Sequence, residues 1–134
     1  MLPLRHEKRW RLAGIVLLLA VLVATIMPTL WLPSSTKILL ADKWLHLLTF
    51  TFLSLWFTGQ YARRSYMRLV VGLTAFGVLI EVGQGMISYR SAEWLDLVAD
   101  IAGIGIGLCI AIAGLGGWSL RFEQWLERAR VSSD

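Results

Sequence analysis

Four apolar runs, residues 12–32, 44–62, 69–89 and 97–118, occupy most of a 134-residue chain and limit its folding options more than any other feature. Crossing a bilayer core of about 30 Å takes roughly 20 apolar residues of helix, and each run is close to that length. The first is uncharged, the second holds His46, and the third and fourth carry one charge each, Glu81 and Asp100. The pattern predicts an all-α membrane protein: a four-transmembrane-helix bundle with a short amphipathic C-terminal helix, a single domain over residues 1–134. Only 16% of the residues are charged and 57% are hydrophobic, against about 25% charged in ordinary soluble domains. That balance excludes a disordered chain, and the lone Cys109 excludes a disulfide scaffold.

The net charge of +4 is read as topology, with no nucleic-acid partner expected. Arg5, Lys8, Arg9 and Arg11 precede the first run, Arg63, Arg64 and Arg68 follow the second, and Arg121, Arg128 and Arg130 follow the fourth. These are ten of the thirteen lysines and arginines; Lys37, Lys43 and Arg90 lie on the alternate side. The positive-inside rule therefore expects both termini in the cytoplasm of a multi-pass protein. The basic N-terminus could also head a signal peptide. Its apolar stretch exceeds the usual 7–15 residues and no small-x-small site follows Pro28, so an uncleaved first helix is expected. In the tail, Trp118, Phe122, Trp125, Leu126 and Ala129 recur at helical spacing, with Arg121, Glu123, Glu127 and Arg128 on the other faces. This predicts a helix along the inner membrane surface, with a plain solvated helix as the alternative.

That topology collects the polar residues at one level. Asp42, Lys43 and His46 enter the second span, Glu81 and Gln84 leave the third, and Arg90, Glu93, Asp96 and Asp100 follow into the fourth, all in the outer layer. Asp42 and His46, Glu81 and Gln84, and Asp96 and Asp100 are each three or four residues apart and share a helix face. Gly77 and Gly85 flank Glu81, while Gly103 and Gly107 continue the Asp100 stripe, so close helix packing is expected along the polar faces. Asp42, Glu93 and Asp96 also suit helix N-termini, where a carboxylate complements the macrodipole. Glu81 and Asp100 lie inside apolar spans and need a partner, a proton or water. Glu81 is expected to pair with Arg90 or Lys43.

The ordered pattern Asp42-Lys43-x-x-His46, Glu81-x-x-Gln84, Arg90 and Asp96-x-x-x-Asp100-x-x-Gly103 resembles the VanZ-like family of small bacterial membrane proteins, over roughly residues 32–107. Family members often carry asparagine at the position of Asp100 and Pro-Gly where this chain has Ser88-Tyr89. The resemblance implies a bacterial inner-membrane protein of the cell envelope, with a lipid-linked or cell-wall target and a link to glycopeptide (teicoplanin) resistance.

Three functions fit these residues. One is recognition of a lipid-linked phosphate headgroup, such as a phosphorylated lipid carrier, with Asp42, Lys43, Gln84, Arg90 and Glu93 as binding residues and Lys43 and Arg90 as the anion contacts. A second is an intramembrane hydrolase or transferase on a phosphorylated lipid, with His46, Glu81, Asp96 and Asp100 as catalytic candidates. His46 or Glu81 would be the acid/base, and Asp96 and Asp100 would ligate a divalent metal. The third is a structural polar network without a ligand.

Overall fold

A computed structural model describes residues 1–26, 38–87 and 93–131. Among them the chain is helical without strands: α1 (Glu7–Ile26), α2 (Ile38–Gln60), α3 (Tyr66–Gly85), α4 (Trp94–Ile110) and α5 (Trp118–Val131). Two continuous helical stretches, Arg63–Gly85 and Trp94–Leu115, are long and apolar enough to cross a membrane. The helices run up and down, since Thr25 at the end of α1 meets Gln84 at the end of α3, and the start of α2 meets the start of α4.

Helix boundaries depart from the apolar runs wherever polar residues are helical. α1 begins at Glu7, ahead of residue 12, because Glu7 and Arg11 face each other one turn apart with a 2.6 Å ion pair. α2 is already helical before residue 44, which places Asp42 and Lys43 inside the helix. α3 starts at Tyr66 and gives way to a turn at Met86 and Ile87, short of residue 89. α4 runs from Trp94 to Ile110, then widens into a π-type turn in which the Gly116 N–H donates to the Ala111 carbonyl at 2.8 Å. Gly114 (φ 146°) and Gly117 (φ 71°) take backbone angles that a side chain would oppose. Trp118 therefore opens α5 rather than closing the fourth run.

The most extensive interface joins α2 and α4. A methyl group on Gly103 would overlap the Leu47 carbonyl, and one on Gly107 would meet the Thr51 carbonyl at 2.7 Å and Ser54 Cβ at 2.6 Å. Glycine at both positions lets the two backbones touch. Beside this seam Phe50, Leu53, Leu73, Ile80 and Ile104 form the buried core, with Leu17, Leu18 and Val21 of α1 packed against it. The outer faces carry exposed Leu12, Leu19, Leu48, Phe52, Val71, Leu79, Val98 and Ile101.

The tail departs most from expectation. Glu123, assigned to the polar face, is buried, as is Ser119. Glu123 accepts hydrogen bonds from the Arg5 N–H (2.7 Å), the His6 N–H (3.1 Å) and the Trp10 indole (2.9 Å), with the His6 ring at 3.2 Å. It caps the open N–H groups that start α1, across more than a hundred residues of sequence. Ser119 donates to the Gly59 carbonyl and Trp118 to the Leu55 carbonyl, and the rings of Trp10, Trp56 and Trp118 meet pairwise at 5.5–5.7 Å. α5 is thus latched to the bundle through Trp118, Ser119 and Glu123, leaving Phe122, Trp125 and Leu126 exposed.

Two stability predictions follow from these contacts. Gly103→Ala forces α2 and α4 apart and is expected to cost about 1–3 kcal/mol. Gly105→Ala, with nothing within 4 Å of the added methyl, should be neutral or stabilising by up to about 1 kcal/mol; equal losses of thermal stability would contradict the close approach. Burial opposes ionisation of Glu123, but the donors from Trp10, Arg5 and His6 outweigh it and hold the carboxyl below its ordinary value. The latch therefore stabilises fully above the ordinary glutamate range and weakens as pH falls through the lowered value. Glu123→Gln should flatten that acid limb of a melting-temperature profile.

Candidate functional site

At the end of the bundle opposite the latch, the first turns of α2, the last turns of α3 and the first turns of α4 bring eight of the nine expected site residues into one cluster. The ninth, Arg90, lies outside the described residues. His46, Glu81, Gln84, Asp96 and Asp100 are buried; Asp42, Lys43 and Glu93 are half-buried. Placement follows from the helix register. Asp96 and Asp100 project one turn apart from the face of α4 that continues into Gly103, so both approach α2.

Lys43 reaches across to α4, with Nζ 2.7 Å from Glu93 Oε2 and 3.2 Å from Asp96 Oδ1. The expected pairing of Glu81 with Lys43 is therefore replaced: Lys43 shares α2 with His46 and faces the start of α4, where two carboxylates are nearer. Glu81 instead accepts the Glu93 N–H at Oε2 (3.0 Å), closing the first turn of α4, while its Oε1 is buried without a partner among the described residues. Glu93, with extended backbone, is the N-cap residue of α4. Gln84, expected to bind ligand, donates to the Thr25 carbonyl of α1 at 3.2 Å.

One turn deeper, His46 Nδ1 lies 2.9 Å from Asp100 Oδ1. A carboxylate accepts only, so a proton belongs on Nδ1, and in the neutral ring the lone pair is on Nε2. Asp100 is fully buried (0% exposed). Its second oxygen has no partner among the described residues and sits 2.7 Å from where a methyl group on Gly77 would be. The glycine beside Glu81 thus makes room for the acid on α4. Asp42, His46 and Asp96 each offer a ligating atom within 4.8 Å of the others. The pair expected to ligate a metal, Asp96 and Asp100, is divided by this geometry: Asp100 holds the imidazole from behind and Asp42 takes its place.

Chemically, the cluster offers an oriented imidazole nitrogen, carboxylates in excess and a lysine held by two acids. Thr25 and the Ser54 hydroxyl, which donates to the Ile104 carbonyl at 3.1 Å, complete the polar seam. Neither was distinguishable in sequence from other hydroxyls in apolar helices. The chain matches no family model, no curated protein and no solved structure, so the likeness to VanZ-like proteins rests on the residue pattern alone.

The His46–Asp100 pair generates an asymmetric prediction. His46→Ala strands a fully buried carboxylate and is expected to lower stability by about 1–3 kcal/mol. Asp100→Asn keeps a hydrogen-bonding group against Nδ1 and should cost less. Melting temperatures of the two purified variants check this, and an Asn variant as damaged as the alanine variant would refute the pairing.

Proposed function

We propose that this chain is a four-span protein of the bacterial inner membrane, VanZ-like in pattern, with both termini cytoplasmic and its polar cluster facing the outer leaflet. There it recognises the phosphate-bearing headgroup of a lipid-linked cell-envelope component. The observation that carries this reading is the inverted distribution of side chains. Leu19, Leu48, Val71 and Val98 face outward, whereas His46, Glu81, Asp96 and Asp100 are enclosed at one end of the bundle. A broad exposed apolar surface is disfavoured in water and suits lipid, and a polar cluster near the helix ends then lies at headgroup depth. The exposed Phe122 and Trp125 rings, stacked at 6.2 Å beside Arg121 and Arg128, suit the opposite interface. A role in teicoplanin resistance belongs to this same proposal and rests on the family resemblance.

With Lys43 held by Glu93 and Asp96, Arg90 is the principal direct anion contact in this reading. A second reading, a hydrolase or transferase on a phosphorylated lipid, is favoured by the His46–Asp100 geometry, which leaves Nε2 as a base.

Two measurements test the proposal. After Cys109→Ser, single cysteines at Ser65 and Ser91 should react with an impermeant thiol reagent from opposite sides, Ser91 from outside; equal outside labelling refutes the topology. Arg90→Ala should lower co-purifying phospholipid or lipid phosphate by roughly tenfold, the effect of losing one charge-assisted contact, with little change in melting temperature. If an enzyme, the protein with Asp100→Ala retains lipid but loses turnover. A uniform fall in stability with lipid content unchanged would instead mark a structural network.

A further inference from the structure

We propose that Asp42, His46 and Asp96 bind one divalent transition-metal cation, with Asp100 as the positioning residue that orients the imidazole. The inference rests on reading this end of the bundle as a ligand site, but it concerns the ion and not the lipid.

The donor set comes from two helices held at fixed spacing by the Gly103 and Gly107 contacts. Ligands about 2.1 Å from a common ion lie about 3.4–4.2 Å from one another. Donor atoms already within 4.8 Å need only small side-chain rotations to close on it. Asp100 does for His46 what a carboxylate behind a metal-bound histidine does elsewhere. It accepts the Nδ1–H hydrogen bond at 2.9 Å, fixes the tautomer and leaves Nε2 to ligate. One nitrogen and two carboxylates suit ions of the Zn²⁺, Co²⁺ or Mn²⁺ kind, with positions left for water or a phosphate oxygen.

A second observation points to the same ion. Among the described residues this end holds Asp42, Glu81, Glu93, Asp96 and Asp100 against Lys43 as its one permanent cation. Two deeply buried carboxylate oxygens, Glu81 Oε1 and Asp100 Oδ2, have no partner among the described residues. Both border the same seam: Gly77, which Asp100 Oδ2 abuts, lies one turn from Glu81 on one face of α3. Such groups are expensive inside a bundle unless positive charge compensates them. Lys43 supplies one charge, shared between Glu93 and one oxygen of Asp96.

The test uses the full chain, purified in detergent, stripped with EDTA and titrated with Co²⁺ alone. We expect visible absorption saturating at one ion per chain, displacement by Zn²⁺, and a metal-dependent rise in melting temperature of the unsubstituted protein. Asp42→Asn, His46→Gln and Asp96→Asn should each weaken binding at least tenfold. Asp100→Asn should weaken it by about 10–100-fold without changing the stoichiometry. Glu127→Gln, at the far end, should bind as the parent does. No stoichiometric binding and no thermal shift in the parent would overturn the proposal, as would an equal loss in Glu127→Gln, which would mark an adventitious ion only. Co²⁺ binding without any retained lipid phosphate would sustain the ion site and defeat the lipid reading. Lipid retained by protein that binds no Co²⁺ would do the reverse.

Discussion

The contact between α2 and α4 sets the geometry of the polar cluster at one end of this molecule. Where Gly103 and Gly107 meet the backbone of Leu47 and Thr51 and the side chain of Ser54, the two helices come closer than larger residues would permit. The side chains one and two turns away are then within reach of short bonds. His46 finds Asp100 and Lys43 finds Asp96 because the helices that carry them are already together. The dependence also runs the other way. Buried charges on α4 would be costly if α2 stood a few ångströms off, so the glycines and the acids on one face are parts of a single arrangement.

Much of this could be read from the chain alone. The apolar runs located the helices, and i, i+3 and i, i+4 spacing put Asp96, Asp100, Gly103 and Gly107 on one face before any partner was known. Helix ends were less legible, because hydropathy ignores charged residues that are helical. Glu7 to Arg11 and Asp42 to Lys43 were left outside elements to which they belong. Partner choice was less legible still. A sequence shows that Lys43 and Glu81 share a layer, but the rotation of α2 about its axis decides that Lys43 reaches Glu93 and Asp96 instead. The Glu123 latch was out of reach for a simpler reason. A glutamate flanked by Phe122 and Gln124 in a polar tail carries no local mark of burial, and its donors lie at the other terminus.

The two ends of the bundle solve the same problem differently. At the latch, each buried polar group of α5 has a donor or acceptor at hand: Glu123 takes four contacts, Ser119 one and the Trp118 indole one. Arg63 and Arg121 add bonds to the carbonyls freed where α4 ends, at Ile112, Gly114 and Gly116. Open helix ends are closed there by side chains, as helix termini require.

The opposite end is built from the same materials and is left incomplete. Lys43, Gln84 and the His46 Nδ1 are engaged, yet one oxygen each of Glu81 and Asp100 is buried without a partner among the described residues. A network whose task is only to hold helices together gains most when every member is satisfied, since each orphan carries its full desolvation cost. The Trp56 indole is the one other buried side-chain group among the described residues without a partner, and it is neutral. Unmet negative charge therefore accumulates at the end where Lys43 is already committed and an imidazole nitrogen has been left free. That combination favours a site that receives something positive, and with it whatever anion a bound cation draws from the surrounding headgroups.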